Sequence, residues 1–247
     1  MIRWGLVLLW LLAAASLAGQ GHGNQTRASE STALELLRAR FDYADVRYPP
    51  ERIQLIALKE SRELELWAWQ ERRWRHVHDY PVFAASGHAG PKLREGDKQV
   101  PEGFYRIESL NPNSRFHLSL KLDYPNLYDW KNALDEGRTN PGSNIFIHGS
   151  AWSVGCLAVG NRSIEEIYRL VSDIGVDKAH LLIAPYDLRV ERAQVRGTQP
   201  QWVKRLYALL KLRMQAFPLA EKQVACSVEC LLERSEVTYK DSPREFD

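Results

Sequence analysis

Hydrophobic and polar residues alternate along several short stretches in the middle of the chain. Glu63 to Trp69 and Phe116 to Leu122 place apolar side chains at every second position, which is typical of β-strands with one buried face. Shorter apolar runs lie near them and are bounded by Gly and Pro, which interrupt regular structure. The pattern predicts strands over residues 53–58, 63–69, 74–85, 104–107, 116–122, 144–147 and 179–184.

The period changes to that of an α-helix on both sides of this region and once within it. Thr32 and Glu35 have the spacing of a capping box, and the helical period after them stops before Pro49. Ser163 and Glu166 repeat the capping-box spacing further along. Helices are predicted over residues 32–48, 163–174 and 201–217 and in a short segment after 218, with a long irregular loop at 123–143.

The N-terminal residues have the pattern of a secretory signal. Arg3 precedes a short apolar core, and small residues follow up to Ala18. The apolar run is short for a membrane span, although an uncleaved anchor is the alternative interpretation. We therefore expect export to the periplasm or cell envelope. The predicted segments are a signal peptide (1–18), a spacer with an N-terminal helix (19–50), a mainly β domain (51–190) and a helical C-terminal extension (191–247).

Composition limits the class of protein. The chain has 247 residues, of which 45% are hydrophobic and 26% are charged, and this is ordinary for a globular protein. Its formal net charge is only +2, and no run of Lys and Arg stands out, so nucleic acid is not expected as a partner. The fold class predicted from the elements is mainly β with helices, that is, α+β.

The chain has three cysteines, an odd number for an exported protein. Cys226 and Cys230 lie close together and are interpreted either as a disulfide pair or as two reduced thiols on one helical face. Cys156 is then left over. An unpaired thiol in an oxidising compartment indicates a reactive residue, whereas the alternative is a small buried apolar side chain.

The neighbours of Cys156 favour reactivity. A nucleophilic thiol needs a base or a positive neighbour to form the thiolate at neutral pH. His148 follows a predicted strand and precedes Cys156 closely enough for the intervening loop to bring the two together. Gly155 allows backbone N–H groups to turn toward a developing oxyanion. The sequence therefore predicts Cys156 as nucleophile, His148 as general base, and the N–H groups of Gly155 and Cys156 as oxyanion donors.

The order of motifs around this pair resembles that of the YkuD-type L,D-transpeptidase family. In that family a His-Gly pair precedes Ser/Thr-x-Gly-Cys, and this chain has His148-Gly149 and then Ser153-Val154-Gly155-Cys156. Upstream segments resemble the same family, and two of them resemble its YafK-like branch. These segments are Gly90-Pro91-Lys92, Glu95-Gly96-Asp97 and Pro101 to Tyr105 for the family, and Asn111 to His117 and Tyr124-Pro125-Asn126 for the branch.

The resemblance covers roughly residues 53–187 and implies a YkuD-like β-sandwich catalytic domain within residues 51–190. It implies that Cys156 attacks a carbonyl group beside meso-diaminopimelate in a peptidoglycan stem peptide and forms a thioacyl-enzyme. His148 takes the thiol proton and returns it to the leaving amine. The acyl group then passes to an amine, which is transpeptidation, or to water. No metal or organic cofactor is expected, and a monomer is expected.

Two positions depart from the common family pattern. Val154 stands where many members have a second His, which removes one donor near the oxyanion. Leu157 and Ala158 follow the nucleophile where many transpeptidases have a polar or basic residue. Hydrolysis of the same bond, which would release wall-bound lipoprotein, therefore stays open beside transpeptidation. A catalytically silent wall-binding module is the third alternative.

Five further residues are candidates for binding the substrate. Arg115 and Arg138 suit the carboxylates of a stem peptide, because a guanidinium binds a carboxylate through two hydrogen bonds; the alternative for each is a structural ion pair. Gly149 leaves room for close backbone approach. Ser150 and Ser153 are interpreted either as residues that orient His148 and line the site or as simple turn residues.

Two histidines lie in the predicted strand region after Trp74. His76 and His78 are predicted to share one face of that strand. No carboxylate or thiol stands at a matching spacing, so no metal site is predicted there.

Overall fold

The computed structural model describes residues 30–222. Predictions for the signal peptide, the spacer before residue 30 and the segment with Cys226 and Cys230 fall outside that range and stay predictions. No helix among residues 30–222 is long and apolar enough to cross a membrane. The strands are β1 (Ile53–Leu58), β2 (Glu63–Gln70), β3 (Arg73–Pro81), β4 (Ala84–Ala85), β5 (Gly103–Ser114), β6 (His117–Leu122), β7 (Phe146–His148), β8 (Leu157–Ala158) and β9 (Ala179–Ala184). The helices are α1 (30–43), α2 (Leu127–Asp135), α3 (Asn161–Ile174) and α4 (Trp202–Met214), with 3₁₀ turns at Val176–Lys178 and Leu219–Glu221.

The nine strands form a continuous hydrogen-bonded series in the order β3-β2-β1-β9-β5-β6-β7-β8-β4. Two neighbouring pairs, β1 with β9 and β7 with β8, are parallel, and the others are antiparallel. β5 divides the series in two, because Gly103 to Arg106 pair with β9 whereas Ile107 to Ser114 pair with β6. The predicted α+β class is confirmed.

Two hydrophobic cores lie on opposite sides of β1. Leu55 belongs to the larger core, which contains residues from both halves of the series together with α1 and α3. Ile56, the next residue, belongs to the smaller core beneath α4. Because β1 is buried on both faces, its sequence is a nearly continuous apolar run rather than an alternating one. The C-terminal helix α4 therefore packs on the same sheet that continues into the β7–β8 region.

The segment 123–143, predicted to be an irregular loop, contains helix α2. Asn126 caps this helix: its side chain accepts hydrogen bonds from two N–H groups of the first turn, and the Asp129 carboxylate accepts one from the Asn126 N–H in return. The loop prediction was wrong because Pro125 and Gly137 flank a short helix instead of excluding one. Only two residues of α2 are buried, so the helix has no clear apolar stripe.

Helix α3 begins before the capping box that was predicted for it. Gly160 takes the N-cap position with φ of 80°, and no side chain caps the helix. Ser163 lies inside the first turn, and the Glu166 carboxylate binds Arg40 of α1 instead, with Nε to Oε2 at 2.7 Å. The capping-box prediction was therefore wrong, because tertiary ion pairing uses the glutamate. Gly175 ends the helix as predicted.

His76 and His78 contact different cores, contrary to the prediction that they share a face. A β-bulge makes them pair with consecutive residues of β2, so Val77 is the extra residue. The His76 ring contacts Trp67 in the core beneath α4. His78 Nδ1 instead lies 3.1 Å from Nη1 of Arg40 in α1.

Candidate active site

His148 ends β7, and Cys156 directly precedes the neighbouring strand β8. The strands are parallel, with Ile147 opposite Leu157 and His148 opposite Ala158. Cys156 therefore lies next to the strand that carries His148, two residues before the pairing partner of His148. Ile147 and Leu157, which pair with each other, are buried in the larger core.

His148 is oriented by its own turn and by an aromatic ring. The residue is 3% exposed, and its Nδ1 lies 2.5 Å from the carbonyl oxygen of Gly149. A carbonyl oxygen can only accept, so Nδ1 carries the proton and Nε2 keeps its lone pair. The ring of Phe116 stacks on the imidazole, with centroids 4.7 Å apart and planes at 29°. The imidazole is therefore held with Nε2 unprotonated, which is the tautomer that a general base needs.

Burial keeps both members of the pair neutral at pH 7. It lowers the pKa of His148 below the usual value, and the bond to the Gly149 carbonyl partly opposes this shift. Burial also raises the pKa of the Cys156 thiol, opposed by a backbone hydrogen bond at Phe146 and by the positive charge of Lys92. A neutral thiol beside a neutral imidazole suits proton transfer during attack, rather than a preformed thiolate–imidazolium pair.

A serine hydroxyl fixes the turn that carries Cys156, whose thiol is free and of intermediate exposure. The Cys156 N–H donates to Oγ of Ser153 at 2.9 Å, and this hydroxyl donates to the Cys156 carbonyl oxygen at 2.6 Å. The hydroxyl proton of Ser153 is thus used inside the turn. Ser153 shapes the backbone of the nucleophile, which corresponds to the turn-residue alternative.

The neighbouring Gly155 has φ of 92°, a conformation that favours glycine. Its N–H donates to Oγ of Ser86 at 2.6 Å. Together with the Cys156–Ser153 bond, this engages both backbone donors that the sequence assigned to an oxyanion. In this structure the N–H groups of Gly155 and Cys156 thus bind serine hydroxyls, and their role as oxyanion donors stays a prediction.

Gly149 and Ser150 form a close turn between the β5–β6 hairpin and the start of α3. A Cβ atom on Gly149 would lie 2.6 Å from the carbonyl oxygen of Phe116 and 2.7 Å from Oδ1 of Asn161. The Ser150 N–H donates to that same Asn161 oxygen at 2.8 Å. These contacts make both residues supports for the turn after His148, and their role in binding substrate stays a prediction.

The two arginines predicted to bind carboxylates have different environments. Arg138 donates to the Glu136 carboxylate through Nε and Nη2, and to the Leu93 carbonyl through Nη1. Its guanidinium has partners within the protein, which corresponds to the structural ion pair that was the alternative for Arg138, and its binding of substrate stays a prediction. Arg115 is exposed in the turn between β5 and β6, directly before the Phe116 that stacks on His148. Arg115 stays a predicted substrate contact.

A buried ion pair ties the loop at residues 86–102 to the C-terminal helix. Lys59 Nζ lies 3.0 Å from Oε1 of Glu102, and both side chains are at most 4% exposed. Lys59 also donates to two backbone carbonyls of the loop, and Tyr207 of α4 donates to the second Glu102 oxygen at 2.9 Å. Helix α4 therefore helps to hold the loop that begins with Ser86.

Among the described residues, one acidic group has metal-ligand spacing, and a lysine occupies it. The carboxylate oxygens of Glu63, Glu65 and Asp79 lie within 4.8 Å of one another. Lys222 Nζ lies 2.5, 2.9 and 3.1 Å from these three carboxylates. The ammonium group supplies the positive charge that a metal ion would bring.

Three contributors to this site were not assigned by sequence reasoning. Phe116 and Lys92 lie in motifs that carry the family resemblance, but periodicity does not reveal a ring stacked on His148 or a charge near Cys156. Ser86 follows the two-residue strand β4, which pairs with β8. A strand that short leaves no periodic signal in the sequence.

Comparison with known proteins identifies the family of this chain. Residues 52–196 match the family model of the L,D-transpeptidase catalytic domain, YkuD. The chain belongs to this family. It is 30% identical over 182 residues to the Escherichia coli K12 protein named "Putative L,D-transpeptidase YafK", covering 72% of this chain and 71% of that protein.

Two solved structures are similar at lower identity. One is the helical cell shape determining protein Pgp2 of Campylobacter jejuni, with a TM-score of 0.46 and 21% identity over 65% of this chain. The other is Bd1075 of Bdellovibrio bacteriovorus, with a TM-score of 0.42 and 21% identity over 67% of this chain. This chain spans about half of each of them, 52% and 55% respectively.

Proposed function

We propose that this protein is an exported, cysteine-dependent L,D-transpeptidase that remodels peptidoglycan stem peptides through a thioacyl-enzyme. The observation that carries the proposal is the pairing register of β7 and β8. It brings Cys156, the residue directly before β8, next to the strand that ends in His148, whose imidazole proton lies on the nitrogen that binds the Gly149 carbonyl. A silent wall-binding module has no need of this arrangement.

The first half-reaction forms the thioacyl-enzyme. Cys156 Sγ attacks the carbonyl carbon of the stem-peptide bond while Nε2 of His148 takes the thiol proton. The lowered pKa of His148 keeps Nε2 unprotonated at neutral pH, so the base is ready before the substrate arrives. The tetrahedral intermediate then collapses: its carbon–nitrogen bond breaks, and the imidazolium gives its proton to the departing amine.

The second half-reaction decides between transfer and hydrolysis. An acceptor amine or a water molecule attacks the thioacyl carbon, with His148 again accepting the proton. The exposed side chains of the loop between the two catalytic residues are apolar, since Trp152 is 81% and Val154 72% exposed. An apolar rim disfavours water at the thioester once a peptide covers it. This supports transfer to an amine as the main outcome.

Mass spectrometry of wall fragments tests the proposal. The chain without residues 1–18 would be incubated with purified wall that carries covalently attached lipoprotein, beside a Cys156→Ala control. New peptide cross-links that are absent from the control are expected. Loss of lipoprotein without new cross-links would replace transfer by hydrolysis. If the folded wild-type protein causes no change in a range of walls, the silent-module alternative replaces both enzymatic ones.

Export is the second part of the proposal and has its own test. The signal-like segment at residues 1–18 supports it, and a substrate in the cell wall requires it. Fractionation of cells that produce the full chain should recover the protein outside the cytoplasm. Its mass should correspond to cleavage after Ala18 or, with an uncleaved anchor, to the full chain. Recovery in the cytoplasm alone would contradict the proposal.

A further inference from the structure

The oxyanion that forms when a thiol attacks a carbonyl group needs hydrogen-bond donors, and the two nearest backbone donors are engaged. Gly155 N–H binds Ser86 Oγ, and Cys156 N–H binds Ser153 Oγ. The two hydroxyls nevertheless differ in what they do with their own proton. Ser153 donates its proton to the Cys156 carbonyl, whereas Ser86 has no hydrogen-bond acceptor for its hydroxyl proton among residues 30–222.

Strand pairing brings Ser86 to the turn that carries Cys156. β4 pairs antiparallel with β8, with Ala84 opposite Ala158 and Ala85 opposite Leu157. Ser86 directly follows Ala85, and Cys156 directly precedes Leu157, so both residues lie at the same end of this strand pair. The two strands that flank β8 thus lead into Ser86 on one side and end in His148 on the other.

Two hydrogen bonds position Ser86, and one of them acts on its hydroxyl. Its Oγ accepts from Gly155 N–H at 2.6 Å, which fixes the oxygen beside the nucleophile. Its backbone carbonyl accepts from Val100 N–H at 3.3 Å, which ties the residue to the loop braced by Lys59 and Glu102. An N–H bound to a hydroxyl oxygen also polarises that hydroxyl, because chained hydrogen bonds strengthen one another.

We propose that Ser86 is a catalytic residue whose hydroxyl donates a hydrogen bond to the oxyanion, with Gly155 N–H acting through it. The role rests on the proposed thioacyl chemistry of Cys156 and extends it. The hydroxyl takes the place of the donor that is lost where Val154 replaces the histidine of other family members.

The step conserves atoms and charge. Cys156 Sγ forms a bond to the carbonyl carbon, the thiol proton moves to His148 Nε2, and the π electrons of the carbonyl group move to its oxygen. Ser86 shares its proton with that oxygen through a hydrogen bond and keeps it. When the intermediate collapses, the carbonyl group re-forms, the bond to the leaving group breaks, and the hydroxyl returns to its resting state.

This role differs from a direct backbone oxyanion hole in what happens when the hydroxyl is removed. Ser86→Ala frees the Gly155 N–H. If that N–H binds the oxyanion directly, acylation of Cys156 would stay the same or become faster. If the Ser86 hydroxyl is the donor, acylation becomes slower, since losing one such donor typically costs on the order of 10²-fold in rate.

Two reagents separate oxyanion stabilisation from activation of the thiol. Acylation by p-nitrophenyl acetate passes through a tetrahedral oxyanion, whereas alkylation by iodoacetamide needs the thiolate and forms no oxyanion. Rates at Cys156 would be measured for wild type and Ser86→Ala, with Cys156→Ala as the background. Acylation about 10²-fold slower with an unchanged alkylation rate is the expected result. Equal losses with both reagents, or no loss of acylation, would overturn the role of Ser86.

The isosteric pair Ser86→Thr and Ser86→Val guards against a folding artefact. Threonine keeps the hydroxyl and valine replaces it with a methyl group of similar size, so Thr should acylate much faster than Val. Equal acylation by these two folded variants would also reject the proposal. Failure of the wider account gives a different result: Cys156→Ala would then acylate as fast as wild type, whatever residue stands at position 86.

Discussion

Two enclosed polar sites in this protein differ in whether their polar atoms have hydrogen-bond partners. Lys59 donates to Glu102 and to two backbone carbonyls, and the Glu102 oxygens also accept from Tyr207 and from a loop N–H. At the proposed catalytic pair, among residues 30–222, His148 Nε2 has no hydrogen-bond partner. The Cys156 thiol has a weak 3.9 Å contact with the Asn144 carbonyl and a backbone contact at Phe146. One site is saturated, and the other keeps a basic lone pair and a thiol proton available.

The difference shows how burial acts on charge. Burial lowers the pKa of Lys59, and the Glu102 carboxylate opposes that shift through its charge and its hydrogen bond. At His148 only a backbone carbonyl opposes the shift, and the ring stays neutral. A saturated ion pair braces the fold, because removal of either partner leaves a buried charge. An unsaturated neutral pair can exchange a proton with a substrate.

Replacing His148, the proposed general base, should give the largest effect, and the effect should be a loss of activity rather than of stability. His148→Gln keeps a polar side chain of similar size but removes the basic nitrogen. Formation of the acyl-enzyme with p-nitrophenyl acetate at pH 7 should slow by about 10²–10⁴-fold, the usual contribution of a general base. The urea unfolding midpoint should stay close to that of wild type. A rate within tenfold of wild type would remove His148 from the proton transfer.

Replacing one partner of the Lys59–Glu102 pair should instead lower the free energy of unfolding. Glu102→Gln leaves Lys59 as a buried charge without a counter-ion, which typically costs about 3–5 kcal/mol of unfolding free energy. Urea denaturation measures this. Glu108→Gln is the matched control, because its pair with Lys121 at 2.8 Å is much more exposed and should contribute less than about 1 kcal/mol. Similar losses in the two variants would contradict the contrast.

The buried histidine His78 makes the free energy of unfolding depend on pH. Burial, followed by the positive charge of Arg40, lowers the pKa of His78 to about 3. In the unfolded chain the same group takes up a proton below its ordinary pKa of about 6.5. Stability should therefore fall as pH decreases from about 6.5, by up to about 1.4 kcal/mol per pH unit from this group.

Urea denaturation between pH 7 and pH 5 measures this dependence. The folded state excludes the proton from His78 and the unfolded state binds it, so stability is retained above about pH 6.5 and falls below it. His78→Gln can still accept from Arg40 and cannot titrate, so its stability should change less over this interval. Identical pH dependences would show that His78 titrates alike in both states.

Loosening the aromatic support of the base should give the smallest effect. Phe116→Leu removes the ring stacked on His148, an interaction of about 0.5–1.5 kcal/mol, so acylation should slow by roughly twofold to tenfold. The alkylation rate of Cys156 should fall by a similar factor, because both reactions need His148 to take the thiol proton. Phe83→Leu is the control, because Phe83 is also about half exposed but packs beside Gly160. Equal slowing in both variants would indicate a general loss of packing.

The elements with long apolar periods could be predicted from the sequence, whereas those fixed by distant contacts could not. β1, β2, β9, α3 and α4 follow their apolar patterns closely. Helix α2 was missed because it has no clear apolar stripe, although neighbouring residues form its N-terminal cap. The bulge in β3 depends on pairing with β2, and no single-strand pattern reveals it.

The same limit applies to the candidate site. His148 and Cys156 could be predicted, because a short loop joins them and a thiol needs a base. The hydrogen bond of the Gly155 N–H could not be predicted, since its acceptor, Ser86, lies far away in the sequence. Arg138 shows the reverse case: its residue type suits substrate carboxylates, but Glu136 and the Leu93 carbonyl already bind its guanidinium.

The most direct test of the central claim is to trap the acyl-enzyme. The chain without residues 1–18 would be mixed with purified stem-peptide fragments and quenched in acid during turnover, and intact mass and peptide mapping would follow. The account predicts a peptide acyl adduct on Cys156 that accumulates in wild type, forms much more slowly in His148→Gln and is absent from Cys156→Ala. Turnover of the fragments by Cys156→Ala, or an adduct on another residue, would contradict it.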